Sequence, residues 1–128
     1  MRNVLFLLLT LGGLSCSQPG AEAQARLTAD AFESMLAQDK TVQLVDVRTP
    51  REYSGGHIEG AQLINYYDAD FGQKIAKLDK NKPVMVYCAA GARSAGAAEQ
   101  LQKMGFIKVF DLEGGMNSWR AGRKKTVQ

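Results

Sequence analysis

A short apolar run that ends in a cysteine constrains the fold of this chain more than any other feature. Val84–Tyr87 consists of three apolar residues and a tyrosine, with valine at alternate positions. Such a run is typical of a strand buried on both faces of a parallel sheet. Cys88 follows directly, and after it come small residues, one arginine and a segment of helical composition. The pattern predicts a strand, a turn and a helix, with Cys88 at the carboxyl end of the strand, where open α/β sheets bind ligands.

The turn after Cys88 has the composition of an anion-binding cradle. At the start of a helix, its peptide N–H groups would point toward a negative charge. The residues concerned are Ala89, Ala90, Gly91, Ala92 and Arg93. These N–H groups, with the guanidinium of Arg93 nearby, would lower the pKa of the Cys88 thiol and stabilise a nucleophilic thiolate. The alternative is an inert cysteine buried at the end of a strand, which is the usual situation of a single free cysteine.

Helical and strand patterns alternate along the rest of the chain. Thr28 is predicted to be the N-cap of a helix over Ala29–Gln38, and Thr49 before Pro50 to be the N-cap of a short helix. Further strands are predicted over residues 41–47, 61–64 and 107–112, and further helices over residues 69–78 and 94–104 and at the end of the segment 113–119. The alternation indicates an α/β fold with a mainly parallel sheet and helices on both faces.

The first sixteen residues have the features of an export signal. Arg2 precedes an apolar segment over residues 4–11 that is too short to span a bilayer. Small residues then end in Cys16, which resembles the lipobox of bacterial lipoproteins except that Gly13 stands where leucine is usual. We therefore expect a signal peptide over residues 1–16, lipidation of Cys16, and a periplasmic domain that meets the membrane only through this lipid anchor.

The alternative is ordinary cleavage at the A-x-A-like sequences of residues 21–23 or 23–25. In either case the domain is exported. Export leaves Cys88 as the only thiol of the folded domain, because the second cysteine belongs to the anchor or to the removed peptide. A free thiol is prone to oxidation in an oxidising compartment, which is a disadvantage unless the thiol has a function. Export therefore favours a functional role for Cys88.

Composition excludes two function classes. The hydrophobic content of 45% and the charged content of 23% are typical of a globular domain. The net charge is +3, but no basic segment is interleaved with aromatic residues, so no nucleic-acid partner is expected. A single histidine, His57, is too few for a metal site of the usual His/Cys type. No metal and no organic cofactor are expected.

Four motifs, in the right order and at the right spacing, resemble those of a single rhodanese domain. They are LVDVR followed by EY within residues 44–53, GHIEGA at 56–61, CAAGARS at 88–94 and GGMNSW at 114–119. The resemblance covers residues 27–121, with a tether at 17–26 and a basic, frayed tail at 122–128. It implies a rhodanese-like fold with a five-stranded, mainly parallel sheet between helices.

The resemblance also implies sulfur transfer by a monomer. Cys88, as a thiolate, would take the outer sulfur of an anionic donor such as thiosulfate and pass it to cyanide or a thiol, a protein thiol included. The N–H groups of the loop and Arg93 would stabilise both the thiolate and the departing sulfite. Among the supporting residues, Asp46 and Arg48 are expected to form a buried pair that braces neighbouring loops. His57 is expected to hold a glycine-flanked turn through hydrogen bonds rather than to act as a catalytic base.

Two other functions stay open at this point. The loop from Cys88 through Arg93 has six residues, which is the sulfurtransferase length in this family, whereas the related phosphatases carry one residue more. A phosphatase or arsenate reductase on the same fold is one alternative. A non-catalytic binding module is the other, although inactive members often lack the cysteine that this chain keeps.

Overall fold

The structure, a computed structural model, describes residues 24–128, so the predicted signal peptide, Cys16 and most of the predicted tether lie outside the described residues. The strands are β1 (Gln24–Leu27), β2 (Gln43–Asp46), β3 (Gln62–Leu63), β4 (Val84–Tyr87) and β5 (Val109–Leu112). The helices are α1 (Ala29–Gln38), α2 (Pro50–Ser54), α3 (Phe71–Ile75), α4 (Ala92–Lys103) and α5 (Gly115–Ala121). None of these helices, within residues 24–128, has the length and apolar character needed to cross a membrane.

The five strands form one sheet in the order β1-β5-β4-β2-β3, and every pairing is parallel. Strand β4 lies at the centre, with Val86 paired to Val45 of β2 on one side and to Asp111 of β5 on the other. The predicted α/β fold with a five-stranded parallel sheet is therefore confirmed. The central position of β4 places the residue that follows it, Cys88, in the middle of the carboxyl edge of the sheet.

Helices cover both faces of the sheet because successive strand residues point to opposite sides. The core on one face, which is covered by α3 and α4, contains Val45, Val84, Val86, Ile75 and Leu101. The core on the other face, which is covered by α1 and α5, contains Leu44, Met85, Tyr87, Phe32 and Trp119. Both faces are thus apolar at β4, which explains why its sequence has no polar alternation.

The starts of two helices follow from their caps. The Thr28 hydroxyl accepts a hydrogen bond from the N–H of Ala31, as expected of an N-cap. Thr49 and Glu52 form a reciprocal capping box, and Pro50 occupies the first helical position. Both helices begin where the sequence predicts.

The first strand differs from the sequence-based prediction. The sequence predicts a tether over residues 17–26, but residues 24–26 belong to β1, which pairs with β5. Four residues at the start of a domain carry no periodicity that would reveal a strand. An ion pair between directly paired residues stabilises this pairing, because Arg26 contacts Asp111 of β5 with an N–O distance of 3.0 Å.

The basic tail also differs from the prediction, because it packs on the domain instead of fraying. The indole N–H of Trp119 donates to the carbonyl of Lys125 (2.9 Å), and the backbones of His57 and Val127 exchange two hydrogen bonds of 2.9 Å each. Lys124 reaches two carboxylates of α1, those of Asp30 and Glu33, at 2.8 Å. These partners lie far away in sequence, so the composition of the tail alone does not reveal them.

We expect removal of residues 124–128 to lower the free energy of unfolding by about 3 kcal/mol, because three hydrogen bonds of Lys125 and Val127 are lost. The truncation deletes the hydrogen bonds of Lys125 and Val127, each with a net value of about 1 kcal/mol, and uncovers the indole of Trp119. Urea unfolding followed by tryptophan fluorescence measures the change, with removal of Gln128 alone as the control. A truncated protein that unfolds at the same urea concentration as the full chain would show that the tail contributes nothing.

Candidate active site

The carboxyl edge of the sheet brings together most of the residues that the sequence singles out. Cys88 follows β4, Asp46 ends β2, and Arg48 lies two residues beyond it. The turn at Gly114, between β5 and α5, lies at the same edge. Cys88 is buried, with 1% of its surface exposed, so its sulfur is surrounded by protein groups that determine its charge.

The Cys88 sulfur has two polar neighbours within hydrogen-bond distance. The N–H of Gly91 points at it across 3.0 Å, and the hydroxyl oxygen of Ser94 is 3.4 Å away. Gly91 has a φ of +114°, which a residue with a side chain rarely adopts, and this conformation turns the chain back toward the sulfur. The loop thus forms part of the cradle that the sequence predicts.

Two opposing effects determine the pKa of Cys88. Burial raises the pKa of the thiol because the charged form loses its hydration. Hydrogen bonds from the Ser94 hydroxyl, and from the N–H groups of Ser94, Gly91 and Ala90, lower it. The hydrogen bonds outweigh burial, so the pKa of Cys88 lies below its ordinary value and the thiolate is favoured.

Ser94 is a site residue that the sequence analysis missed. It is fully buried, and its hydroxyl oxygen lies 3.2 Å from the carbonyl oxygen of Gly91 and 3.4 Å from the Cys88 sulfur. Its single proton can serve one acceptor at a time, and a Cys88 thiolate, which can only accept, competes for it with the carbonyl. The sequence predicts that the helix begins at Ser94, whereas α4 begins at Ala92. Ser94 therefore lies in the first helical turn, beside Cys88. The only sequence signal for it was its place at the end of the motif at residues 88–94.

Arg93 lies near the sulfur, but its guanidinium is bound to Glu52. Two parallel hydrogen bonds of 2.9 Å join the side chains. The hydrogen bonds from Arg93 lower the pKa of Glu52 to about 2, and those to Glu52 raise the pKa of Arg93. Glu52 therefore neutralises much of the positive charge of Arg93, which the sequence predicts to stabilise the Cys88 thiolate. The neutral donors of the loop and Ser94 favour the thiolate instead.

Asp46 and Arg48 form the buried pair that the sequence predicts. The guanidinium of Arg48 contacts both carboxylate oxygens of Asp46, at distances from 2.7 to 3.1 Å. It also donates to the carbonyl of Gly56 across 2.8 Å, which connects the end of β2 to the turn at residues 56–61. Burial lowers the pKa of Arg48, but its hydrogen bonds to Asp46 and the charge of that carboxylate raise the pKa more, so the guanidinium stays charged. The pair braces two loops at the edge of the site.

His57 is held within its own turn. Its Nδ1 lies 3.0 Å from the carbonyl of Tyr53, and the two rings stack with centroids 3.6 Å apart. Its backbone pairs with Val127. These contacts hold the turn at residues 56–61, and the positioning role of His57 stays a prediction. Within residues 24–128, His, Cys, Asp and Glu side chains form no group of three that could hold a metal ion.

The ion pair between Arg26 and Asp111, which lies behind the loop, is not predicted by the sequence. Asp111 is 3% exposed and bonds Arg26 through Oδ2 (3.0 Å), while Oδ1 has no partner among the described residues. Burial raises the pKa of Asp111. Arg26 also approaches the carbonyl of Gly91, at 3.5 Å. Because Arg26 falls within the predicted tether, no sequence pattern links it to the loop.

The second glycine of the motif at residues 114–119 fits against the active loop. A Cβ on Gly115 would lie 2.4 Å from the carbonyl oxygen of Cys88 and 2.8 Å from the carbonyl carbon of Ala89, and its φ is +55°. The start of α5 instead donates to those carbonyls, with Met116 N–H bonded to Cys88 (2.9 Å) and Asn117 N–H to Ala89 (3.0 Å). Close backbone packing therefore requires glycine here.

Comparison with known proteins gives a consistent family assignment. The sequence profile of the rhodanese-like domain matches residues 28–122. The thiosulfate sulfurtransferase GlpE of Shewanella oneidensis is 34% identical over 84 residues, which cover 66% of this chain and 81% of that protein. The probable adenylyltransferase/sulfurtransferase MoeZ of Mycobacterium tuberculosis is 36% identical over 93 residues, but the match covers only 24% of its length.

A solved structure supports the same assignment. The crystal structure of a rhodanese-related protein from Thermoplasma volcanium superposes with a TM-score of 0.71 at 30% sequence identity. The match covers 80% of this chain and 96% of that one.

We expect Ser94→Ala to raise the pKa of the Cys88 thiol by about one to two units, because the thiolate loses the hydrogen bond from the hydroxyl. A hydrogen bond to a charged group contributes about 1.5 to 3 kcal/mol, and about 1.36 kcal/mol corresponds to one pKa unit. The rate of alkylation by iodoacetamide as a function of pH measures the pKa, with the exposed Ser34→Ala on α1 as the control. An unchanged alkylation midpoint in Ser94→Ala would contradict the role of the hydroxyl.

Proposed function

The chain belongs to the rhodanese-like domain family, and on that premise we propose that it is a sulfurtransferase. Cys88 takes the outer sulfur of an anionic donor such as thiosulfate and delivers it to cyanide or a thiol. The observation that carries this proposal is the buried Cys88 sulfur surrounded by the Gly91 N–H and the Ser94 hydroxyl, which favour its thiolate. The names of the relatives GlpE and MoeZ support the same reaction class.

The first step forms a persulfide on Cys88. The thiolate attacks the outer sulfur of thiosulfate, a new S–S bond forms, and the S–S bond of the donor breaks. Sulfite leaves with the electron pair of the broken bond. No external oxidant or reductant is needed. Because sulfite is a good leaving group, no general acid is required, which agrees with the alanines that surround Cys88.

The second step returns the enzyme to its starting state. The nucleophilic acceptor attacks the outer sulfur of the persulfide, and the electron pair of the breaking S–S bond goes to the Cys88 sulfur. The same N–H donors that favour the thiolate stabilise it as a leaving group, so they assist both halves of the reaction.

The geometry offers less support for phosphate or arsenate chemistry. A phosphate or arsenate must place its whole charged oxyanion inside the loop, where it needs charged or multiple donors, whereas thiosulfate places only its outer sulfur there. Arg93, the charged residue of the loop, is already occupied by Glu52 through two hydrogen bonds. Phosphatase and arsenate reductase activities therefore serve as the alternative outcomes of the test.

We expect the purified protein to gain the mass of one sulfur atom on incubation with thiosulfate and to lose it again with cyanide. Cys88→Ser should show no gain, because a hydroxyl cannot form the persulfide. Intact-mass spectrometry measures both steps, and circular dichroism checks that the variant is folded. Wild-type protein that never gains sulfur would contradict the proposal. Phosphate release or arsenate reduction in parallel assays would then assign the chain to the alternative, and silence in every assay would indicate a binding module.

We also propose that the chain is exported and lipid-anchored through Cys16. The support is the sequence alone, which has a basic residue, an apolar segment and small residues that end in a cysteine.

We expect expression in a bacterium to attach lipid at Cys16 and to place the protein in the membrane fraction. Labelling with radioactive palmitate measures the modification, and Cys16→Ala should abolish it. Label that persists in Cys16→Ala, or wild-type protein that takes up none, would contradict the anchor.

A further inference from the structure

A groove beside the active loop carries positive charge that no carboxylate of residues 24–128 neutralises. It has a volume of about 360 Å³ and lies between α2 and α5. Ala89, the neighbour of the nucleophile, forms part of its lining. The charged residues that line it are Arg48, Arg51, Glu52 and Arg120.

Two of these four charges are cancelled within the protein. Arg48 is bound to Asp46, and Glu52 is bound to Arg93. Arg51 and Arg120 are exposed, and neither forms an ion pair with a carboxylate of residues 24–128. The guanidinium of Arg120 instead approaches the carbonyl of Gly56 at 3.5 Å, which leaves its charge uncompensated. The groove therefore presents two positive charges to solvent.

The groove is far larger than the proposed donor needs. A groove of about 360 Å³ is within the range of roughly 300–1,000 Å³ typical of pockets for small organic molecules, whereas thiosulfate has only five heavy atoms. An organic molecule whose sulfur reaches Cys88 would extend past Ala89 into this space. Carboxylates match guanidinium groups in charge and in geometry, since both are planar and can form two parallel hydrogen bonds.

We propose that Arg51 and Arg120 bind the carboxylates of an organic thiol that accepts sulfur from Cys88, and so determine the preference of the enzyme for anionic acceptors. This inference rests on the proposed function. In the step concerned, the acceptor thiolate attacks the outer sulfur of the Cys88 persulfide. The bond between that sulfur and the Cys88 sulfur breaks, its electron pair returns to Cys88, and the acceptor leaves as a persulfide.

The test uses two small thiols that differ in charge. Mercaptosuccinate carries two carboxylates, and 2-mercaptoethanol carries none. The protein is first loaded with sulfur from thiosulfate and desalted, so that the donor step is separated from the acceptor step. The rate of persulfide discharge by each thiol is then followed by mass spectrometry, and the readout is the ratio of the two rates. Taking a ratio for each protein cancels the reactivity of its persulfide, and comparing the ratios of two proteins cancels the intrinsic reactivity of the two thiols.

We expect the double variant Arg51→Gln/Arg120→Gln to lower this ratio about tenfold relative to wild type, because focused charge typically changes association rates by about ten- to a thousandfold. The control Lys80→Gln/Lys103→Gln removes the same net charge at two exposed residues outside the groove. Its ratio should stay at the wild-type value. High salt should shrink the difference between wild type and the arginine variant.

Four results would count against the inference. An arginine variant with the wild-type ratio, or a control with an equal loss, would overturn the groove as the acceptor site. A slower loading by thiosulfate with an unchanged discharge ratio would assign the arginines to the donor and also overturn it. Wild-type protein that accepts no sulfur at all would overturn the proposed function itself, a failure seen before any acceptor is added.

Discussion

The structure depends on the hydrogen bonds that it supplies to one buried sulfur, that of Cys88. An anion placed inside a protein is costly unless hydrogen bonds replace its lost hydration. At Cys88 those bonds come from the backbone of the loop and from Ser94, because the loop itself contains almost only alanine and glycine. Backbone donors act only if the chain holds its conformation. The left-handed geometry of Gly91 is therefore part of the chemistry of the site.

The loop has few side chains that could stabilise its own conformation, so neighbouring elements hold it from several directions. Three ion pairs surround it, and they join Asp46 with Arg48 at the end of β2, Glu52 with Arg93 on α2 and α4, and Arg26 with Asp111 behind Gly91. The first turn of α5 adds two hydrogen bonds to the loop carbonyls. Most of these contacts connect segments that are distant in the chain, which couples the active loop to the whole fold.

These pairs also organise the charge around the site. The guanidinium groups of Arg48 and Arg93 each have a carboxylate partner, so the donors that contact Cys88 are neutral peptide and hydroxyl groups. Farther out, Arg51 and Arg120 keep their charge at the groove that borders Ala89. Neutral donors suit a sulfur that changes charge during each half-reaction, whereas exposed cations attract anionic molecules from solution.

The sequence by itself determined the fold class, the caps at Thr28 and Thr49, the pairing of Asp46 with Arg48, and the position of Cys88 at the edge of a parallel sheet. All of these depend on local patterns or on motifs of a few residues. Only the tertiary structure decided that Arg26 belongs to a strand, that the tail packs on Trp119, that Glu52 occupies Arg93, and that Ser94 faces the sulfur. The first three features depend on contacts between residues that are remote in the chain. The last depends on α4, which begins at Ala92 instead of the predicted Ser94. Local sequence propensity encodes neither the remote contacts nor this helix start.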